Sequence, residues 1–212
     1  MRLENEMNKE WIIEQAKEKA EAFFHTRDPA HDYWHAHRVA VWAVKLAGEE
    51  GADAFVCELA SWLHDIADAK LNESEETGLF HVEEWLREYV KDEKTEQKVM
   101  GIIAAMSFRH GDSNEMTSLE GRVVQDADRL DAVGAIGIAR TFAYAGKIGE
   151  TLHRPDLPGG EKRETALEHF YNKLLRLKSL MNTKTASEIA NTRQKFMISY
   201  LEQFYSEWEG KR

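Results

Sequence analysis

Three sets of side chains in this sequence have the types and spacing to hold a divalent cation. His35 falls on a helical spacing with Val39, Trp42 and Leu46, four, three and four residues apart, so it belongs to an apolar helix face. A charged or unpartnered imidazole is costly there. His64 and Asp65 are adjacent and directly follow Ser61-Trp62-Leu63, at the inner end of another apolar stretch. A buried carboxylate without a cation or several donors costs several kcal/mol, on the order of 3–5, so Asp65 needs a partner. One reading is a His–Asp hydrogen bond that staples two helices. The other is a metal ion shared by His35, His64 and Asp65. The run Gln125-Asp126-Ala127-Asp128-Arg129-Leu130-Asp131 offers the missing carboxylate. Asp128 and Asp131, three apart, share a helix face, while Asp126 is turned away from Asp128 by about 200° of helical rotation. Either Asp128 or Asp131 completes a site of two histidines and two carboxylates.

Helices must position these residues, because 3.6-residue periodicity runs through the chain and strand-like alternation is almost absent. The pattern predicts a helix from about Glu6 to Phe24, a second through His35 to Leu46 that stops near Gly48–Gly51, and a third N-capped by Asp53. Leu79 to Val90 and Val99 to Met106 read as the next two. Thr117 and Glu120 have capping-box spacing and open a sixth helix through Val124, Ala127 and Leu130. The run Val133 to Tyr144 continues that helix or restarts after a kink at Gly134 or Gly137. Residues 146–162 read as the long loop, and Thr165 to Met181 as one further helix. Thr185 and Glu188 again have capping-box spacing, ahead of a last helix reaching Trp208. The expected fold is all-α, one domain over residues 1–212.

Composition limits the partners. The chain has 212 residues, 42% hydrophobic and 31% charged, too apolar for a disordered chain. It lacks the roughly 18 consecutive apolar residues of a membrane span. Its formal charge of −10 disfavours nucleic acid and anionic lipid as partners. A single cysteine, Cys57, and an acidic start with no signal-peptide pattern lead to the expectation of a cytoplasmic protein.

The order His35, His64-Asp65, Asp128 resembles the HD-domain superfamily of metal-dependent phosphohydrolases, an all-α fold. His31-Asp32-Tyr33-Trp34-His35, Leu63-His64-Asp65-Ile66-Ala67-Asp68 and Asp126-Ala127-Asp128-Arg129-Leu130-Asp131 look more specifically like the small single-domain bacterial HD hydrolases of the YpgQ type. Phe170-Tyr171-Asn172-Lys173-Leu174-Leu175 and Leu180-Met181-Asn182-Thr183 extend the likeness, which runs from about residue 25 to about residue 200. It implies metal ligands at His35, His64, Asp65 and Asp128, the last chosen over Asp131 because a basic residue, Arg129, follows it. Two-metal members carry an adjacent His-His pair that this chain lacks, so the resemblance implies one divalent cation. Mn²⁺ is the expectation, with Mg²⁺, Co²⁺, Ni²⁺, Fe²⁺ or Zn²⁺ as alternatives that such mixed ligands also accept. Asp68, three residues after Asp65, is the expected group to hold or deprotonate the attacking water, a role that related enzymes give to an acid near the doublet. His31 and Lys70 are possible proton donors or substrate contacts. Arg129, Lys173 and His169 are the expected phosphate contacts. The implied activity is hydrolysis of a nucleoside or deoxynucleoside triphosphate to pyrophosphate and the monophosphate. A nucleoside 5′-monophosphatase and a non-catalytic, nucleotide-sensing helical module are the alternatives. A homodimer is compatible with all of them.

Overall fold

A computed structural model describes residues 2–25, 32–68, 71–107, 116–155 and 165–211. Among these residues there are helices and no strands. The chain divides into two compact units, Met1–Asp128 and Arg129–Arg212.

The first unit holds α1 (Arg2–Phe24), α2 (Tyr33–Glu50), α3 (Ala54–Leu63), a 3₁₀ turn at His64–Ala67, α4 (Glu75–Tyr89), α5 (Glu93–Ser107) and most of α6 (Leu119–Asp131). Its centre is the packing of α2 on α3. The inward face of α2 is His35, Ala36, Val39, Ala40, Ala43, Leu46 and Ala47. Four alanines let the two backbones approach closely, and Leu46, Leu59 and Leu63 fill the seam with no exposed surface. Each fully buried leucine contributes about 1.5–3 kcal/mol, so this pair is a firm base for whatever it carries. Trp42 departs from the expected pattern. It is half-buried beneath the Lys45 ammonium, and Ala43 takes the inward position.

Asp53 caps α3 through the amides of Phe55 and Val56, as its place before an apolar run predicts. The cap of α6 lies one residue from its expected place. Ser118, not Thr117, accepts the Gly121 amide at 3.0 Å. Glu120 instead meets the Lys98 ammonium at 3.3 Å.

The second unit begins with the last turn of α6 and holds α7 (Gly134–Ile148), α8 (Ala166–Asn172), a 3₁₀ stretch at Leu174–Leu180 and α9 (Lys184–Trp208). The chain breaks at Gly134, whose φ of 83° is a left-handed conformation that a side chain resists. A Cβ there would also come within 3.1 Å of the Arg193 side chain. The helix expected from Thr165 to Met181 is two pieces. Thr165 and Glu168 form a reciprocal capping box on α8, and the backbone leaves α geometry at Lys173. The apolar positions read there, Leu167, Phe170, Leu174 and Leu177, are nonetheless all buried. Thr183, not Thr185, caps α9 by accepting the Ala186 amide.

Candidate metal centre

The doublet sits where α3 tightens into a 3₁₀ turn. A helix end leaves its last carbonyls without intrahelical partners. Here the Ser61 carbonyl lies 2.7 Å from His64 Nδ1, inside the buried end of α3. An acceptor at that distance requires Nδ1 to carry a proton, which in the neutral ring leaves Nε2 as a lone pair. His64 Nε2 is buried and has no hydrogen-bond partner. A buried nitrogen lone pair facing a carboxylate is what a metal-binding histidine presents before it takes its ion.

Asp65 lies between the two imidazoles. Its Oδ1 is 3.3 Å from His64 Nε2, and its Oδ2 is 3.4 Å from His35 Nε2. His35 is delivered from α2, whose N-cap Asp32 accepts the His35 backbone amide at 2.7 Å and so fixes the first turn. His35, His64 and Asp65 are all buried, and each offers a donor atom within 4.8 Å of the others. Asp128, on α6, joins from the side of His35, with Oδ1 3.4 Å from His35 Nε2. Donors bound to one ion at about 2.1 Å lie roughly 3.0–3.4 Å apart when the angles between them are near or just above a right angle. The spacings of His35, His64 and Asp65 therefore fit a single cation with mixed nitrogen and oxygen ligands, and Asp128 comes within reach of it on the His35 side.

Asp128 is the most open of the four, with 39% of its side-chain surface exposed. Crowding by protein atoms pushes its carboxyl up. The hydrogen bond with His35, aided by the neighbouring imidazoles and opposed by Asp65, overcomes that push and holds it below the ordinary Asp value. Solvent on its open side screens part of this attraction. Asp131, the alternative acid, is buried elsewhere, and its Oδ2 accepts from Arg140 Nη1 at 2.7 Å. Asp126 is fully buried on its own face of α6, a placement that the 200° rotation from Asp128 did not reveal.

Asp68 ends the 3₁₀ turn and is buried, with its amide on the Asp65 carbonyl. Arg129 donates to the Leu180 carbonyl. Arg193 donates to the Leu130 carbonyl. His169 and Lys173 belong to the second unit, His169 within α8 and Lys173 at its C-cap. His31 and Lys70 lie outside the described residues.

The HD domain family model matches residues 33–133, the stretch that holds all four donors. YpgQ of Bacillus subtilis is 38% identical over 199 residues, covering 93% of this chain and 94% of that protein. The crystal structure of that protein in complex with ADP superimposes with a TM-score of 0.80 at 36% identity, over 94% of this chain and 96% of that one. An HD-superfamily hydrolase from Bacillus thuringiensis gives a TM-score of 0.81 at 43% identity, over 96% of this chain and all of that one. With this agreement along nearly its whole length, the chain belongs to the HD-domain superfamily of hydrolases.

Proposed function

We infer that the chain hydrolyses nucleoside or deoxynucleoside triphosphates to the monophosphate and pyrophosphate, with one divalent cation, Mn²⁺ first, held by His35, His64, Asp65 and Asp128. The observation that carries this reading is the orphaned Nε2 of His64, its ring turned by the Ser61 carbonyl to face the same carboxylate as His35. The ADP held by the Bacillus subtilis relative supports a nucleotide as ligand. A divalent cation supplies Lewis-acid polarisation of a phosphate and makes a water easier to deprotonate.

The chain's own groups do the rest. Asp65 and Asp128 bring negative charge that the cation cancels, so a polyphosphate meets a neutral centre inside an acidic protein. Asp68 holds the attacking water and takes its proton as the water oxygen bonds to the α-phosphorus and the bond to the pyrophosphate oxygen breaks. Arg129, next to Asp128 in sequence, is assigned to the phosphates, where a guanidinium gives two parallel contacts. Lys173 and His169 are tested separately by substitution, with KM as the readout.

The test is the product profile. Incubation with Mn²⁺ and dATP yields pyrophosphate and dAMP, and Asp65→Ala abolishes turnover and bound metal while helical circular dichroism largely survives. Orthophosphate from dAMP, with dATP untouched, makes the protein a monophosphatase instead. Unfolding of Asp65→Ala, with no hydrolysis by the wild type under any divalent ion, makes the cluster a structural staple.

A further inference from the structure

The 3₁₀ turn that carries His64 and Asp65 is a weak element by itself. Such turns have poor hydrogen-bond geometry and run only a few residues, so a precise one needs support from outside. That support comes from the connection leading into α4. Asn72 Nδ2 lies 2.7 Å from the Ile66 carbonyl and 2.9 Å from the Asp68 carbonyl. The amide has two hydrogens, and these two carbonyls take them. Flipping the amide would aim its oxygen at two carbonyl oxygens, so the partners themselves fix the orientation.

Gly78 closes the arrangement from behind. A Cβ at that position would lie 2.7 Å from the Ala67 carbonyl oxygen and 2.7 Å from Asn72 Nδ2. Only glycine lets α4 approach this near, and the Cβ would strike both the clasping Asn72 amide and the Ala67 carbonyl of the turn it holds. Ser74 then anchors α4, its hydroxyl accepting the Thr77 amide at 3.1 Å. Backbone on both sides of Ala67 is thus pinned by one side chain, with His64 and Asp65 immediately before and Asp68 immediately after.

We propose that Asn72, with Gly78 behind it, is a positioning residue for the centre: it holds the turn so that His64, Asp65 and Asp68 keep their aim. The proposal rests on the metal reading of that turn. Ligand aim matters at the scale of about 0.5 Å, and loss of an outer support of a metal site typically costs about 10–100-fold in affinity.

The experiment is calorimetric titration of the metal-free full chain with Mn²⁺ alone, with no nucleotide present, for the wild type, Asn72→Ala and Ser74→Ala. Asn72→Ala weakens Mn²⁺ binding about tenfold and shifts the visible absorption of the Co²⁺ form. Ser74→Ala, which loosens α4 without touching the turn, lowers the melting temperature and leaves Mn²⁺ affinity within about twofold. If Asn72→Ala is insoluble, Asn72→Ser carries the same comparison, because it too removes the two-donor amide. Wild-type affinity and an unchanged Co²⁺ spectrum in the Asn72 variant overturn the proposal, whatever the melting temperature does. Failure of the wild type to bind Mn²⁺ is a different result, which removes the metal reading and this proposal with it.

Discussion

Asp65 and Asp131 are both buried acids, and their partners give them different work. Asp131 meets a guanidinium at 2.7 Å, which satisfies a carboxylate outright. Asp65 meets two imidazoles at 3.3 and 3.4 Å, and one of those rings presents a lone pair rather than a proton. Two lone-pair groups facing each other in a buried place call for a cation between them. Helical spacing left Asp128 and Asp131 open because residues three apart share a helix face, and only the family resemblance, with Arg129 following, chose Asp128. The discriminating partner, Arg140, lies beyond the Gly134 break, where periodicity alone did not fix the geometry. Cys57 has no chemistry to offer, since burial pushes its thiol up to about 12. Glu58 gives a residue-scale prediction. Burial raises its carboxyl above the ordinary Glu value. The nearby Trp62 indole N–H, which does not close a full hydrogen bond, and Lys17 only partly offset this. The folded protein therefore holds this proton more tightly than the unfolded chain. The associated stability is complete below the unfolded value near 4.5 and is lost as pH rises through the folded one. Glu58→Gln should raise the melting temperature at pH 7 by about 1–3 °C and lose that advantage near pH 4. An advantage that persists or grows at low pH contradicts the assignment.

At the scale of elements, interiors were readable and ends were not. The apolar faces of α3, α5 and α6 lie where the 3.6 period puts them, because burial of a stripe is a sum over many residues. A cap depends on one backbone conformation, and several hydroxyls compete for it. Thr117 has a glutamate at the right distance, yet Ser118 enters with its hydroxyl on the Gly121 amide. The two changes from α to 3₁₀ geometry, after Leu63 and at Lys173, carry no glycine or proline to announce them. The first of these carries the doublet, with Asp65 Oδ2 3.4 Å from His35 Nε2. Asn72 was invisible for the same reason: an asparagine between two helices reads as an ordinary turn residue until its partners are seen. Because α6 delivers Asp128, its cap is worth testing. Ser118→Ala should cost about 1 kcal/mol and lower the melting temperature by about 2–4 °C, while Thr117→Ala, at an exposed residue that is not the cap, changes it by less than about 1 °C. The opposite order would return the cap to Thr117.

For the whole molecule, the absence of alternation made an all-α fold legible from sequence, and the four donors were legible as residue types in a fixed order. Their grouping around one ion followed from the family resemblance and not from periodicity, since they come from α2, the turn after α3, and α6, separated by up to ninety-three positions along the chain (His35 to Asp128). The structure brings His35, His64 and Asp65 together, with Asp128 beside His35. All four lie in the unit Met1–Asp128, with Asp128 its final residue. No described helix is long and apolar enough to cross a membrane. The formal charge of −10 disfavours polyanions over the surface in general, so under the proposed function the neutralised centre would be where a polyphosphate is tolerated. The most direct measurement is an anomalous difference map from a crystal grown with Mn²⁺ at its absorption edge. One peak per chain, about 2.1–2.3 Å from His35 Nε2, His64 Nε2 and carboxylate oxygens of Asp65 and Asp128, is the predicted result. No peak among those side chains, or an ion held by Asp131 in place of Asp128, would contradict the account.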